Sequence, residues 1–194
     1  MGSSFSSSTD STTPEQELIT HYTKEKFQQK SILLTGASRG LGRSIAHQLS
    51  KCNASLLILS GRDEAALNQV KEECLKIYQA CQSNNEEIMK VETIVCDLAD
   101  KHSVENLATL SLEIAKNHGR NSGVIDVLIN NGGISSRSSF LETKLEVDEK
   151  LMQVNFFSGA ALAKRLIPGM VERNKESGGR VIWISSVQGK GAFK

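Results

Sequence analysis

The residues Thr35-Gly36-Ala37-Ser38-Arg39-Gly40-Leu41-Gly42 place three glycines, a serine and an arginine where a short apolar run gives way to a helical stretch. Glycines in that setting let the backbone turn sharply and approach a pyrophosphate, whose charge is stabilised by the free N–H groups and dipole of a helix start. No Gly-Lys-Ser/Thr follows, so this is not a Walker loop. An ordinary glycine turn has the same composition; the strand-to-helix position is what favours a nucleotide site. Other polar residues with chemical potential also follow apolar runs: Asp97-Leu98, Asn130-Asn131-Gly132-Gly133, and Ser186 in WISSVQG.

The elements that must position them can be read from the apolar pattern. Strands are expected at Ser31 to Thr35, Ser55 to Ser60, Val91 to Cys96, Ile125 to Asn130 and Arg180 to Ser185, each short and rich in Ile, Val or Leu. Helices are expected at Arg43 to Lys51, Asp63 to Gln82, Ser103 to Asn117, and Lys144 to Arg173 with a break near Pro168. Alternation of this kind predicts an α/β fold, a Rossmann-like doubly wound parallel sheet of strand order 3-2-1-4-5. Residues 1–14 (MGSSFSSSTDSTTP) are too polar to offset the entropy of ordering and are expected to be a disordered tail. Residues 15–30 read as a polar leader helix with Leu18, Ile19, Tyr22 and Phe27 as its apolar contacts, and 31–194 as the nucleotide-binding domain.

These motifs resemble those of the classical short-chain dehydrogenase/reductases, over about Lys30 to Lys190. Thr35 to Gly42 match the family's T-G-x-x-x-G-x-G pattern, which implies contacts to a dinucleotide from Gly36, Ser38, Arg39, Gly40, Leu41 and Gly42. Asp97-Leu98 is similar to the family's adenine-contacting pair, although a helix-capping turn would be equally at home there. Asn130-Asn131-Gly132-Gly133 matches N-N-A-G with Gly132 in place of Ala, implying cofactor-side roles for Asn131 and Gly132. Within the family, NNGGISSRSSF, DEKLMQVNFF and SSVQGK look most like the membrane-associated dehydrogenase/reductase 7 group, including the 7B type. Those relatives carry an apolar N-terminal anchor that this sequence does not show.

Cofactor choice follows from charge. A carboxylate near the end of the second strand would bind the ribose hydroxyls of NAD and repel a 2′-phosphate. The sequence here runs Leu59-Ser60-Gly61-Arg62, with no acid until Asp63. Arg62 and Arg39 could close on a phosphate from two sides, as guanidinium groups suit phosphate oxygens. NADP(H) is therefore the expected cofactor.

The resemblance also implies two catalytic residues. Asn155 matches the family asparagine that helps hold a water linked to the catalytic lysine. Ser186 matches the serine that hydrogen-bonds the substrate carbonyl or alcohol oxygen, with Ser185 completing the strand. In the family a tyrosine lies about thirteen residues beyond that serine, and a lysine about four further on, which here falls past Lys194. The tyrosines present are Tyr22 and Tyr78, and Tyr22-Thr23-Lys24-Glu25-Lys26 is a chance Y-x-x-x-K upstream of the first strand. The sequence is thus expected to be a truncated chain with an open edge at its fifth strand.

The implied function is interconversion of a small-molecule carbonyl and a secondary alcohol by hydride transfer, with homo-oligomerisation of the full-length form. The alternatives are a catalytically inactive short product that binds nucleotide or a partner, and another nucleotide enzyme such as a methyltransferase. NNGG, Asn155 and the Ser186 segment argue against the last. A net charge of +1 gives no basic field for nucleic acid. Cys52, Cys74, Cys81 and Cys96 form no C-x-x-C pair, so neither a metal site nor a disulfide framework is expected. No apolar run is long enough to span a bilayer and no secretory signal is present, which predicts a cytoplasmic protein; Gly2 followed by Ser6 is a loose fit to N-myristoylation.

Overall fold

The computed structural model describes residues 24–81, 89–118, 123–173 and 178–186. The order is β1 (Ser31–Thr35), α1 (Gly40–Lys51), β2 (Leu56–Gly61), α2 (Glu64–Cys81), β3 (Lys90–Val95), α3 (Lys101–His118), β4 (Val127–Asn130), α4 (Leu145–Met152), a π-helical turn (Gln153–Phe157), α5 (Ser158–Arg173) and β5 (Arg180–Trp183). The five strands are parallel and ordered β3-β2-β1-β4-β5, the expected doubly wound sheet.

The sheet is covered on both faces, which is why its inner strands read as continuous apolar runs. Alternate residues of β1 enter opposite cores: Ile32 and Leu34 pack with Ala46 of α1 and Leu67 of α2, while Leu33 packs with Leu107 of α3 and Leu162 of α5. Fully burying one such Leu or Ile is worth about 1.5–3 kcal/mol relative to leaving it exposed. β5 forms one edge and is only partly buried, with Trp183 among its exposed residues.

Several boundaries differ from expectation for identifiable reasons. α1 begins at Gly40, so the last glycines of the loop form the first turn of the helix. Asp63 lies outside α2 and caps it, its Oδ1 accepting the Ala66 N–H at 3.0 Å, and Asp100 does the same for His102 at the start of α3. β5 stops at Trp183, so Ser185 does not complete the strand. Its partner β4 ends at Asn130, opposite Trp183, and beyond the Ile184 N–H to Asn130 carbonyl bond there is no further β4 residue to pair with.

The long stretch from 144 is not broken at Pro168, which sits inside α5. Pro168 is exposed, so the carbonyl freed by its missing N–H faces solvent rather than a dry core. The irregularity falls instead at Gln153–Phe157, where the Ser158 N–H reaches back five residues to the Gln153 carbonyl. Of the leader, residues 24–27 are helical, and Phe27 packs on the β1–α1–α2 core. The Ser/Thr-rich tail with Gly2, the first part of the leader and the segment after Ser186 lie outside the described residues.

Candidate functional site

The carboxyl ends of β1, β2, β3 and β4 open on one side of the sheet, and the loops leaving them build the site. The β1–α1 loop is shaped by close backbone approach. Gly36 has φ +66°, and a Cβ there would lie 2.6 Å from the Cα of Gly132, while a Cβ on Gly42 would overlap the Gly36 carbonyl oxygen. Only glycine fits either position, so the first and fourth strand ends can touch.

Thr35 ties that junction together. Its hydroxyl accepts the N–H groups of Asn131 at 3.1 Å and Gly132 at 3.0 Å, and donates to the Ile129 carbonyl at 3.4 Å. Asn131 returns the link, its Nδ2 donating to the carbonyls of Thr35 at 3.0 Å and Gly36 at 3.1 Å. Asn131 thus holds the loop in shape from behind.

Past this junction α1 starts without a capping side chain among the described residues, because Arg39 at the N-cap position is extended and makes no cap bond. The N–H groups of the first turn have no intrahelical partner and leave the helix dipole unopposed. They face a cavity of about 330 Å³. A Cβ on Gly40 would meet nothing within 4 Å, so open space lies beside the loop.

The expected cofactor residues converge on this cavity. Gly36, Ser38, Arg39, Gly40, Leu41 and Gly42 line it from the loop, and Arg62 from the end of β2. Asp97 and Leu98 line it from the end of β3, and Asn131 and Gly132 from the end of β4. Asp97 also closes its own turn, its Oδ1 accepting the Ala99 N–H at 3.0 Å, whereas the residue that caps α3 is Asp100. Cys96 lies in the same wall; burial, reinforced by the Asp97 and Asp100 carboxylates, pushes its thiol up, which keeps it protonated and unreactive at neutral pH.

A second, wider cavity adjoins the first, sharing Arg39, Leu41, Leu98 and the Asn131–Ile134 loop. Ser186 and Asn155 both line it, with Trp183 stacked on Phe156 at a centroid distance of 6.0 Å. Asn155 does not offer its carboxamide freely. Oδ1 accepts the Ile134 N–H at 2.8 Å and Nδ2 donates to the Ile134 carbonyl at 2.9 Å. Asn130, 7% exposed, also lines this cavity, and its carboxamide has no hydrogen-bond partner among the described residues.

Sequence reasoning missed Thr35 as the hub of the junction, and Lys150, Val154 and Ile134 as walls of the first cavity. A threonine at the end of a strand carries no distinguishing signal. Lys150 and Val154 sit four residues apart on one helical face, a spacing that could have pointed to a shared surface.

Comparison with known proteins adds the lineage. A family profile described as short chain dehydrogenase matches residues 30–194. The chain belongs to the short-chain dehydrogenase family. Its similarity to the dehydrogenase/reductase 7 and 7B group also holds: it is 37% identical over 166 residues to dehydrogenase/reductase SDR family protein 7-like of Anopheles gambiae, covering 84% of this chain and 47% of the relative. It is 36% identical to member 7B of Xenopus laevis, covering 84% and 46%. The chain therefore spans about half the length of the curated relatives it matches. Among solved structures, the short-chain dehydrogenase from Sphingobium yanoikuyae in complex with NADPH superposes with a TM-score of 0.67 at 25% identity, over 84% of this chain and 55% of that one.

Among the described residues no helix is long and apolar enough to cross a membrane, and no cluster of His, Cys, Asp or Glu could hold a metal ion.

Proposed function

We propose that this chain carries the NADP(H)-binding half of an oxidoreductase that interconverts a carbonyl and a secondary alcohol, and that it takes NADP(H) in preference to NAD(H). The observation that carries the cofactor reading is the pair Arg39 and Arg62 in one cavity wall, with no acid at the end of β2. A guanidinium on each side of a 2′-phosphate supplies charge-assisted hydrogen bonds that the ribose hydroxyl of NAD cannot use. The fit of a dinucleotide rests on the uncapped start of α1 and the open space beside Gly40. When bound, the nicotinamide supplies or accepts the hydride.

The chain's own residues have separate tasks in this reading. Gly40, Leu41 and Gly42 present N–H groups to the pyrophosphate. Ser186 orients the substrate oxygen in the second cavity and can donate or accept a hydrogen bond as that oxygen changes charge. Asn155 braces the wall of that cavity, its side chain committed to both backbone groups of Ile134, beside the place where a water linked to the catalytic lysine would be held. The tyrosine and lysine that move the proton are assigned to the part of the relatives' length that this chain does not match.

Arg62→Ala tests the cofactor assignment. Losing a charge-assisted contact worth about 1.5–3 kcal/mol lowers NADPH affinity roughly 10- to 150-fold and leaves NADH nearly unchanged. An unaltered NADPH to NADH ratio would show that Arg62 does not meet the phosphate.

A further inference from the structure

The cavity that holds the glycine loop contains a third cation. Lys150 of α4 lines it together with Ile134 and Val154, and forms no ion pair among the described residues. Arg39, Arg62 and Lys150 face one carboxylate in that wall, Asp97, so the cavity is two positive charges in excess. The two arginines already answer the 2′-phosphate, and the pyrophosphate is otherwise met by backbone N–H groups alone. Lys150 also borders the groove between α3 and α4, which neither arginine reaches, and does not border the cavity of Ser186.

The attachment of α4 gives this charge a second meaning. α4 has no buried side chain, and it reaches the body mainly through the π turn that follows it. There Val154 is buried and the Gln153 Nε2 donates to the Leu98 carbonyl at 3.5 Å. A lysine on such a helix has little packing to hold it, and an anion in the cavity would give it a partner.

Resting on the dinucleotide reading above, we infer that Lys150 is a cofactor-binding residue whose ammonium group contacts the phosphates of the bound dinucleotide and ties α4 to the glycine loop. Lys150 Nζ is a point charge on a flexible stem and reaches phosphate oxygens without the planar geometry that arginine needs. The contact belongs to binding and not to the chemical step, since Lys150 is absent from the wall that carries Ser186.

Titration of NADPH and NADH into the 194-residue chain and its Lys150→Ala, Lys150→Arg and Lys101→Ala variants tests this. Lys101 borders the α3–α4 groove but not the cofactor cavity, so it controls for the loss of one positive charge. Lys150→Ala should weaken binding about 3- to 10-fold, the scale of a solvent-accessible charge-assisted contact, with a shallower salt dependence. Lys150→Arg should recover most of that affinity, and Lys101→Ala should stay near the parent. An equal loss for both dinucleotides places the contact on the pyrophosphate, and a loss confined to NADPH places it on the 2′-phosphate. Unchanged affinity in Lys150→Ala, or an equal loss in Lys101→Ala, overturns the inference while leaving the dinucleotide reading intact. A parent chain that folds but binds neither dinucleotide overturns both.

Discussion

Asn155 grips Ile134 by both polar groups of its backbone, Oδ1 accepting the N–H at 2.8 Å and Nδ2 donating to the carbonyl at 2.9 Å. This pair joins the π turn to the loop after β4 and so fixes the wall shared by the two cavities. Asn155→Ala removes both bonds and should cost about 1–3 kcal/mol of stability, at about 0.5–1.5 kcal/mol each for ordinary hydrogen bonds. Asn155→Asp keeps the acceptor and places a charge opposite the Ile134 carbonyl, so it should lose at least as much at neutral pH. Chemical denaturation checks both, and an alanine variant as stable as the parent would mean that the clasp is not formed in solution.

The two glycines that face each other across the β1–β4 junction should tolerate alanine very differently. A Cβ on Gly36 meets backbone at 2.6 Å and sits on a residue with positive φ, so Gly36→Ala should destabilise the fold by about 1–3 kcal/mol or more. A Cβ on Gly132 meets the Leu98 Cδ1 at 2.5 Å, the far end of a flexible side chain, and comes no nearer than 3.3 Å to backbone, at the Gly36 N, and 3.4 Å to the Thr35 hydroxyl. Gly132→Ala should therefore cost less than about 1 kcal/mol after Leu98 changes rotamer. Thermal melting of the two variants side by side gives the comparison, and equal losses would contradict this packing.

Glu73 links α2 to α1 by accepting from Arg43 Nε at 2.9 Å and His47 Nε2 at 2.9 Å, and accepts from Gln69 Nε2 of its own helix at 3.1 Å. Partial burial alone would raise its carboxyl; the hydrogen bonds from Arg43, His47 and Gln69, with the Arg43 charge, overcome that and hold it below the ordinary value. A lowered folded-state pKa means that the stabilising contribution is complete above the unfolded value of about 4.3 and disappears as pH falls through the folded one. Glu73→Gln should lower Tm by about 2–4 °C at pH 7, as expected for a partly exposed network worth about 1 kcal/mol. The gap to the parent should narrow as pH falls below 4. A gap that is constant from pH 7 to pH 3 would show that the charge is not what Glu73 contributes.

A polypeptide of residues 1–194 should bind NADPH without oxidising it in the presence of ketones. Of its tyrosines, Tyr78 is buried in α2 and is absent from the wall that carries Ser186, and Tyr22 precedes the first strand in sequence, so no tyrosine follows Ser186 at the spacing of the family's proton donor. General acid catalysis is typically worth about 10²- to 10⁴-fold. Steady NADPH consumption above a protein-free blank, across a panel of aryl and alkyl ketones, would show that another donor acts.

The sheet order, the cavity residues Gly36 and Ser38 to Gly42, and the convergence of Arg62, Asp97 and Asn131 on one side of the sheet were all legible in the sequence. Parallel strands alternating with helices can be wound in few ways, and strand ends in such a sheet must open on the same edge. Tertiary structure alone decided what each polar group does there. Sequence position brought Asn131 and Asn155 to the site, but only the contacts across it, to Thr35 and Gly36 and to Ile134, reveal that both carboxamides brace loops. The Pro168 break did not form because its helix turns that residue to solvent, and the π turn appeared where no residue type announces it. Lys150 reaches the cavity for the same reason it escaped notice: helical periodicity says which residues share a face, and only packing against the rest of the chain says what that face looks upon.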